Sequence, residues 1–204
     1  MVKFLIKINI MKKLFVLLIF SGILQTTTFA QNKRHEIVAG YGMASHQTFK
    51  EITVNMAVTI VTIGYVNTVY QSGSGTFYLG YRYHLSKHFS MGVDAAYQGI
   101  LEEVRNSEER VGNLERKYIT ASALTNISYI NRPAFQLYST ISAGYIQGKG
   151  YYTPVEGEEE SMTDGFFGFQ VNPIGIRFGK TVGGFVELGY GYKGVLNFGL
   201  SVKL

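Results

Sequence analysis

The sequence predicts an all-β chain: a transmembrane, antiparallel, eight-stranded up-and-down β-barrel. Three observations predict it. The last ten residues alternate, with Leu196, Phe198, Leu200, Val202 and Leu204 on one face of an extended strand and Asn197, Gly199, Ser201 and Lys203 on the other. The same alternation recurs along most of the preceding chain, as expected of strands with lipid outside and a polar lumen inside. The connections alternate long and short, the asymmetry of a barrel whose short turns face one side of a membrane and whose long loops face the other. An even strand number also returns the last strand beside the first, which closes the sheet and removes its edges.

The N-terminus reads as an export signal over residues 1–30, followed by one barrel domain over 31–204. Met11-Lys12-Lys13 forms a basic start, Leu14 to Leu24 an apolar run too short to span a bilayer, and Thr28-Phe29-Ala30 a small-residue cleavage site before Gln31. Residues 1–10 repeat a basic-apolar segment, which makes Met11 the expected start. The four lysines of this leader account for most of the basic balance. Without them 19 basic residues fall to 15 against 14 acids, a net charge of +1 that gives no argument for nucleic acid. There is no cysteine, so disulfide, thiol and lipidated-Cys chemistry are excluded.

In chain order, Glu36 to Met43 is the first strand. Residues 44–73 form a long interruption in which Thr48 and Glu51 make a capping box and Gly64 a stop, favouring a helix over 49–63 rather than a strand extension. Thr76 to Leu85 is the clearest internal strand, with Arg82 and His84 inward. Ser86-Lys87-His88 turns into the third strand, where Asp94 points in. A charged loop is expected from 102 to 115, then a strand from Lys117 to Ile130, a turn at Asn131 to Ala134, a strand from Phe135 past Tyr145, and an acidic loop from Glu156 to Asp164. In the sixth strand Phe167, Phe169 and Val171 share one parity and Ile174, Ile176 and Phe178 the other, so a β-bulge is expected at Asn172-Pro173. After a turn at Lys180 to Gly184, Val186, Leu188, Tyr190 and Tyr192 are expected outward, and Lys193-Gly194 turns into the last strand.

Two stretches carry a family resemblance: Leu79-Gly-Tyr-Arg-Tyr-His-Leu-Ser-Lys, and Gly175-Ile-Arg-Phe-Gly-Lys with Gly184-Phe-Val-Glu-Leu-Gly-Tyr-Gly-Tyr-Lys-Gly. They resemble small outer-membrane β-barrel domain proteins of Gram-negative bacteria. The resemblance implies a cell outer-membrane location, contact with outer-membrane lipid and lipopolysaccharide, and a monomer. It also implies delivery by the barrel-assembly machinery through a C-terminal signal, matched here by Asn197, Gly199, Val202 and Leu204. That family usually ends on aromatic residues where this chain has Val202 and Leu204. Its motifs are structural and carry no catalytic signature.

The chemistry-bearing residues fall mostly inside the expected lumen. Arg82, Asp94, Arg177, Glu187 and Lys203 share the inward face, and pairing of the sixth and seventh strands about Val182 would set Arg177 opposite Glu187. Eight strands leave a lumen filled by side chains, so this cluster reads as a structural plug rather than an ion path. Of the histidines, His46 beside Ser45 is the candidate for the alternative reading, an outer-leaflet lipid-modifying enzyme of lipid A acyltransferase or deacylase type; adjacency alone makes no triad. No catalytic residue, cofactor or metal is expected, since no metal-ligand spacing occurs. Glu156-Gly-Glu-Glu-Glu, ending at Glu160, reads as a solvated loop rather than a site for divalent cations bridging surface lipids. A soluble ligand-binding barrel would reverse the polarity, apolar inside and polar outside.

Overall fold

In the computed structural model eight strands follow one another around a closed antiparallel ring in sequence order. The structure describes residues 33–45, 66–106, 109–154 and 160–204. The export signal, the helix expected over 49–63, His46 and Glu156 to Glu159 lie outside the described residues. The strands are β1 (His35–Met43), β2 (Val66–His84), β3 (Phe89–Asn106), β4 (Glu109–Arg132), β5 (Phe135–Pro154), β6 (Glu160–Phe178), β7 (Val182–Gly191) and β8 (Leu196–Lys203). Closure is made by β1 against β8, from Glu36 opposite Lys203 to Met43 opposite Leu196.

Alternation sets the two faces. Leu79, Val93, Ile119, Ile141, Phe167, Val186 and Leu200 are all more than 45% exposed on the outer wall, whereas Arg82, Asp94, Gln98, Glu187 and Asn197 are at most 5% exposed inside. Such an exterior suits hydrocarbon, not water, because every strand presents its apolar side without a second layer.

The expected charged loop at 102–115 is corrected: β3 runs on to Asn106 and β4 begins at Glu109, with Glu102 paired to Leu114. Likewise β2 begins within the expected first interruption, and β6 takes up the end of the acidic loop from Glu160. About 9–11 residues carry a strand across a bilayer. The 9, 10 and 8 residues of β1, β7 and β8 match that length, while β2 to β6 have 18–24. The surplus stands at the end away from the short turns, as a five-stranded wall. There the strands need only their hydrogen-bond ladder, so charge does not forbid them.

The bulge at Asn172-Pro173 is present. Two residues of β6, Pro173 and Ile174, oppose Ser139 of β5, and the ladder to β7 shifts between Val171 and Ile174. Pro173 gives up no ladder bond there, and the extra residue keeps both halves of β6 apolar on the outside.

One connection folds inward. Gly191 has φ +147°, which turns the chain into the barrel mouth. Tyr192 is therefore 1% exposed inside, not outward as its parity suggested, and Lys193 is fully buried. A Cβ at Gly42 would strike the Lys193 carbonyl and the Asn197 side chain. Gly42→Ala is expected to cost about 1–3 kcal/mol by overpacking, seen as a lower urea midpoint for the folded band on a gel.

Candidate functional site

The lumen is the chemically distinctive part of the molecule, and it is filled in tiers. Nearest the short turns, Glu36 Oε1 meets Arg177 Nε at 3.0 Å and Glu36 Oε2 meets His84 Nε2 at 2.9 Å. Arg177 also donates to Ser201 Oγ at 2.5 Å and to the carbonyls of Gly179 and Thr181 at 2.5 and 3.2 Å. Lys203 Nζ reaches Gln136 Oε1 at 3.1 Å. The Arg177 guanidinium thus ties the β6–β7 turn to β1 and β8.

In the next tier Glu187 Oε1 accepts from Arg82 at 3.2 Å and from Tyr138 OH at 2.7 Å, and Oε2 accepts from Asn172 Nδ2 at 2.7 Å. The Arg82 guanidinium lies 5.7 Å from the Tyr138 ring centroid. Above it Asp94 Oδ2 accepts from Lys193 Nζ at 2.5 Å and from Tyr192 OH at 3.2 Å. Tyr192 OH also bonds Ser122 Oγ at 2.7 Å. Towards the mouth the filling becomes apolar, with Ile100, Tyr118 and Ile146 buried and Phe166 packed on them.

Sequence parity brought Arg82, Asp94, Arg177, Glu187 and Lys203 to the inward face, where the structure has them. It misplaced one pairing. The ladder sets Arg177 opposite Phe185 and Glu187 opposite Gly175, so Arg177 meets Glu36 and Glu187 meets Arg82. The cause is register: the turn centres one residue earlier than expected, which displaces the partner by two. Glu36, Tyr138, Asn172, Tyr192 and Lys193 were missed. Glu36 shares the parity of inward Val38, so alternation alone could have found it. Nothing in the sequence signals that Lys193 turns inward.

Of the proposed assembly-signal residues, Asn197 is fully buried in the lumen and donates to the Gly194 carbonyl at 3.3 Å. Gly199 sits between Gly40 and Phe185, and Val202 between Ile37 and Val182. Leu204 follows β8. His35, His84 and His88 stand at the short-turn end, and Ser45 donates its hydroxyl to Gln98 Oε1 at 2.7 Å. Among the described residues no three His, Cys, Asp or Glu side chains are grouped to hold a metal. On the wall above the apolar band, Glu115 hydrogen-bonds Lys117 Nζ at 3.1 Å and holds that ammonium above the usual lysine range.

A closed eight-strand ring with an apolar exterior and a charged, filled interior decides the architecture. The chain is a small, closed, up-and-down β-barrel of eight strands. No protein-family model matches the sequence, and no curated protein matches it. Among solved structures the barrel is similar to Ail, the attachment invasion locus protein of Yersinia pestis, in a structure with the heparin analogue sucrose octasulfate. The identity is 14%, over 83% of this chain and 95% of that one, at a TM-score of 0.40.

Proposed function

We propose that the protein is an outer-membrane barrel with a structural or surface-interaction role, its lumen plugged and its tall wall and loops presented outside the cell. The observation that carries this reading is the polarity of the barrel. Its outside is apolar over the height of β1, β7 and β8, and its inside holds the charge tiers described above. Arg82 and Glu187 are 3% and 0% exposed, and Lys193 and Asp94 0% and 1% by side chain, which leaves charges paired across the lumen instead of lining a water column. Contact with lipopolysaccharide belongs to the same proposal, supported by Lys117 and Lys149, directly opposite one another on the wall just above outward Ile119 and Tyr145. Residues Asn197, Gly199, Val202 and Leu204 would serve recognition by the assembly machinery. No arrangement among the described residues favours a lipid-modifying enzyme.

Boiled and unboiled outer-membrane fractions, run side by side on a denaturing gel, test the proposal. A compact band that shifts on boiling is expected, together with no stepwise conductance in planar bilayers. A soluble protein that runs at one position in both lanes overturns the membrane reading. Porin-sized conductance steps overturn the plug.

A further inference from the structure

We propose that a furrow on the outer wall, above the rim of short turns, seats an acyl chain of an anionic phospholipid from the periplasmic leaflet, with its phosphate on the basic rim. The inference rests on the membrane reading and adds a ligand and a site to it. The furrow has a volume of about 820 Å³; Tyr81, Tyr83, Met91 and Ile141 wall it and Ala123 and Ala143 form its floor. A second hollow of about 760 Å³ adjoins it and shares Tyr81, Val93 and Ala123. The register explains the shape. Val93, Ala123 and Ala143 lie in one row across β3, β4 and β5, and Tyr83, Met91, Thr125 and Ile141 in the next row towards the turns. Small side chains in one row between bulky ones leave a hollow that a flat wall would not have. On a surface bathed in hydrocarbon, a chain lodged there gains packing contacts that a chain sliding past does not.

The charge of the rim selects the headgroup. The three short turns carry Lys87, Arg132 and Lys180, all exposed, and no carboxylate lies in those turns. Among the described residues none of the three forms an ion pair. Arg34, at the same end, reaches Tyr83 OH at 3.5 Å, beside the furrow wall. The rim is also held in place. Asn131 Nδ2 donates to the Lys87 carbonyl at 2.6 Å, and Gly179 N to the Ala134 carbonyl at 3.0 Å. These bonds fix the spacing of the first turn to the second and the second to the third. Lys87 lies in the turn that begins two residues beyond Tyr83, so a phosphate on the rim and a chain in the furrow belong to one molecule. Arg and Lys at such an interface favour phosphate over a neutral headgroup. A second copy of this chain fits the face less well, because a two-fold contact would bring the like charges of both rims together.

The test uses the mature chain refolded into phosphatidylcholine vesicles, with spin-labelled phosphatidylglycerol or phosphatidylcholine as the probe. The wild type is expected to restrict the anionic probe roughly fivefold more strongly than the neutral one, the equivalent of one well-placed cationic contact. The preference should weaken in high salt. K87Q/R132Q/K180Q should bring the ratio to about one, while A123F, which fills the furrow from the lipid side, should lower the restricted fraction of both probes. A143L serves if A123F does not fold. Equal restriction of both probes by the wild type, or an undiminished preference in the triple variant, overturns the site. Efficient cross-linking of an A123C variant into dimers overturns it in favour of a second copy. Failure of the wild type to insert at all overturns the membrane reading itself, an outcome distinct from insertion without preference.

Discussion

Replacing Glu187 by Ala is expected to lower the stability of the folded barrel by about 3–5 kcal/mol, because it leaves a buried charge without its partner. Glu187 is fully buried and accepts from three elements at once: Arg82 of β2, Tyr138 of β5 and Asn172 of β6. Without the carboxylate the Arg82 guanidinium remains 3% exposed and always charged, with the face of Tyr138 as compensation. Glu187→Gln, which keeps one acceptor oxygen but neither the second nor the charge, should fall between wild type and Ala. Replacing both Arg82 and Glu187 by Leu should recover much of the loss, since no charge is then left buried. The readout is the urea midpoint of the heat-modifiable band in vesicles. A midpoint for Glu187→Ala equal to that of wild type would show that Arg82 finds water or another partner in the lumen. Arg177→Ala serves as the companion measurement, for it takes one of two partners from Glu36, which keeps His84, and none from Glu187.

That distinction also marks where sequence reasoning stopped. Parity tells which face a residue takes, and it put Arg177 and Glu187 inside correctly. It does not give height, and a turn centred one residue away changed the partner of each. In the membrane-spanning part the alternation was legible because lipid and lumen impose opposite polarities on neighbouring residues. The bulge at Asn172-Pro173 was legible for the same reason, as a break in that alternation. Above the membrane the constraint disappears. Leu101, Glu102 and Glu103 of β3 and Asn113 to Glu115 of β4 form a regular ladder, yet their charge reads as loop because no hydrocarbon demands an apolar side. Lys193-Gly194 reads as an exposed turn for a comparable reason. A lysine is seldom fully buried, and here the Asp94 carboxylate across the lumen, with the faces of Tyr78 and Tyr192, makes its burial tolerable.

Asp94→Ala should therefore do more than destabilise; it should release the β7–β8 connection from the mouth. In the folded barrel that connection is fastened by backbone as well as side chain. Tyr192 N donates to the Phe169 carbonyl at 3.0 Å, Val195 N to the Met43 carbonyl at 2.8 Å, and Lys193 N to Gln170 Oε1 at 2.9 Å. Against these stands an ammonium with 0% exposure, whose remaining neighbours after the substitution are the faces of Tyr78 at 4.6 Å and Tyr192 at 5.7 Å. Such faces recover about 2 kcal/mol of what the carboxylate supplied, less than the about 3–5 kcal/mol expected from breaking a buried pair. Lys193 belongs to a connection rather than a strand, so the cheapest relief is to swing into water and leave the ring standing. Trypsin added to the outside of folded vesicles measures this directly. The wild type should resist cleavage after Lys193, and Asp94→Ala should be cut there while the heat-modifiable band persists. Asp94→Glu, with its longer reach, should restore protection in part. Protection of Asp94→Ala equal to that of wild type would mean that the backbone bonds alone hold the connection, and the Lys193–Asp94 pair would then be a consequence of the inward fold rather than its cause.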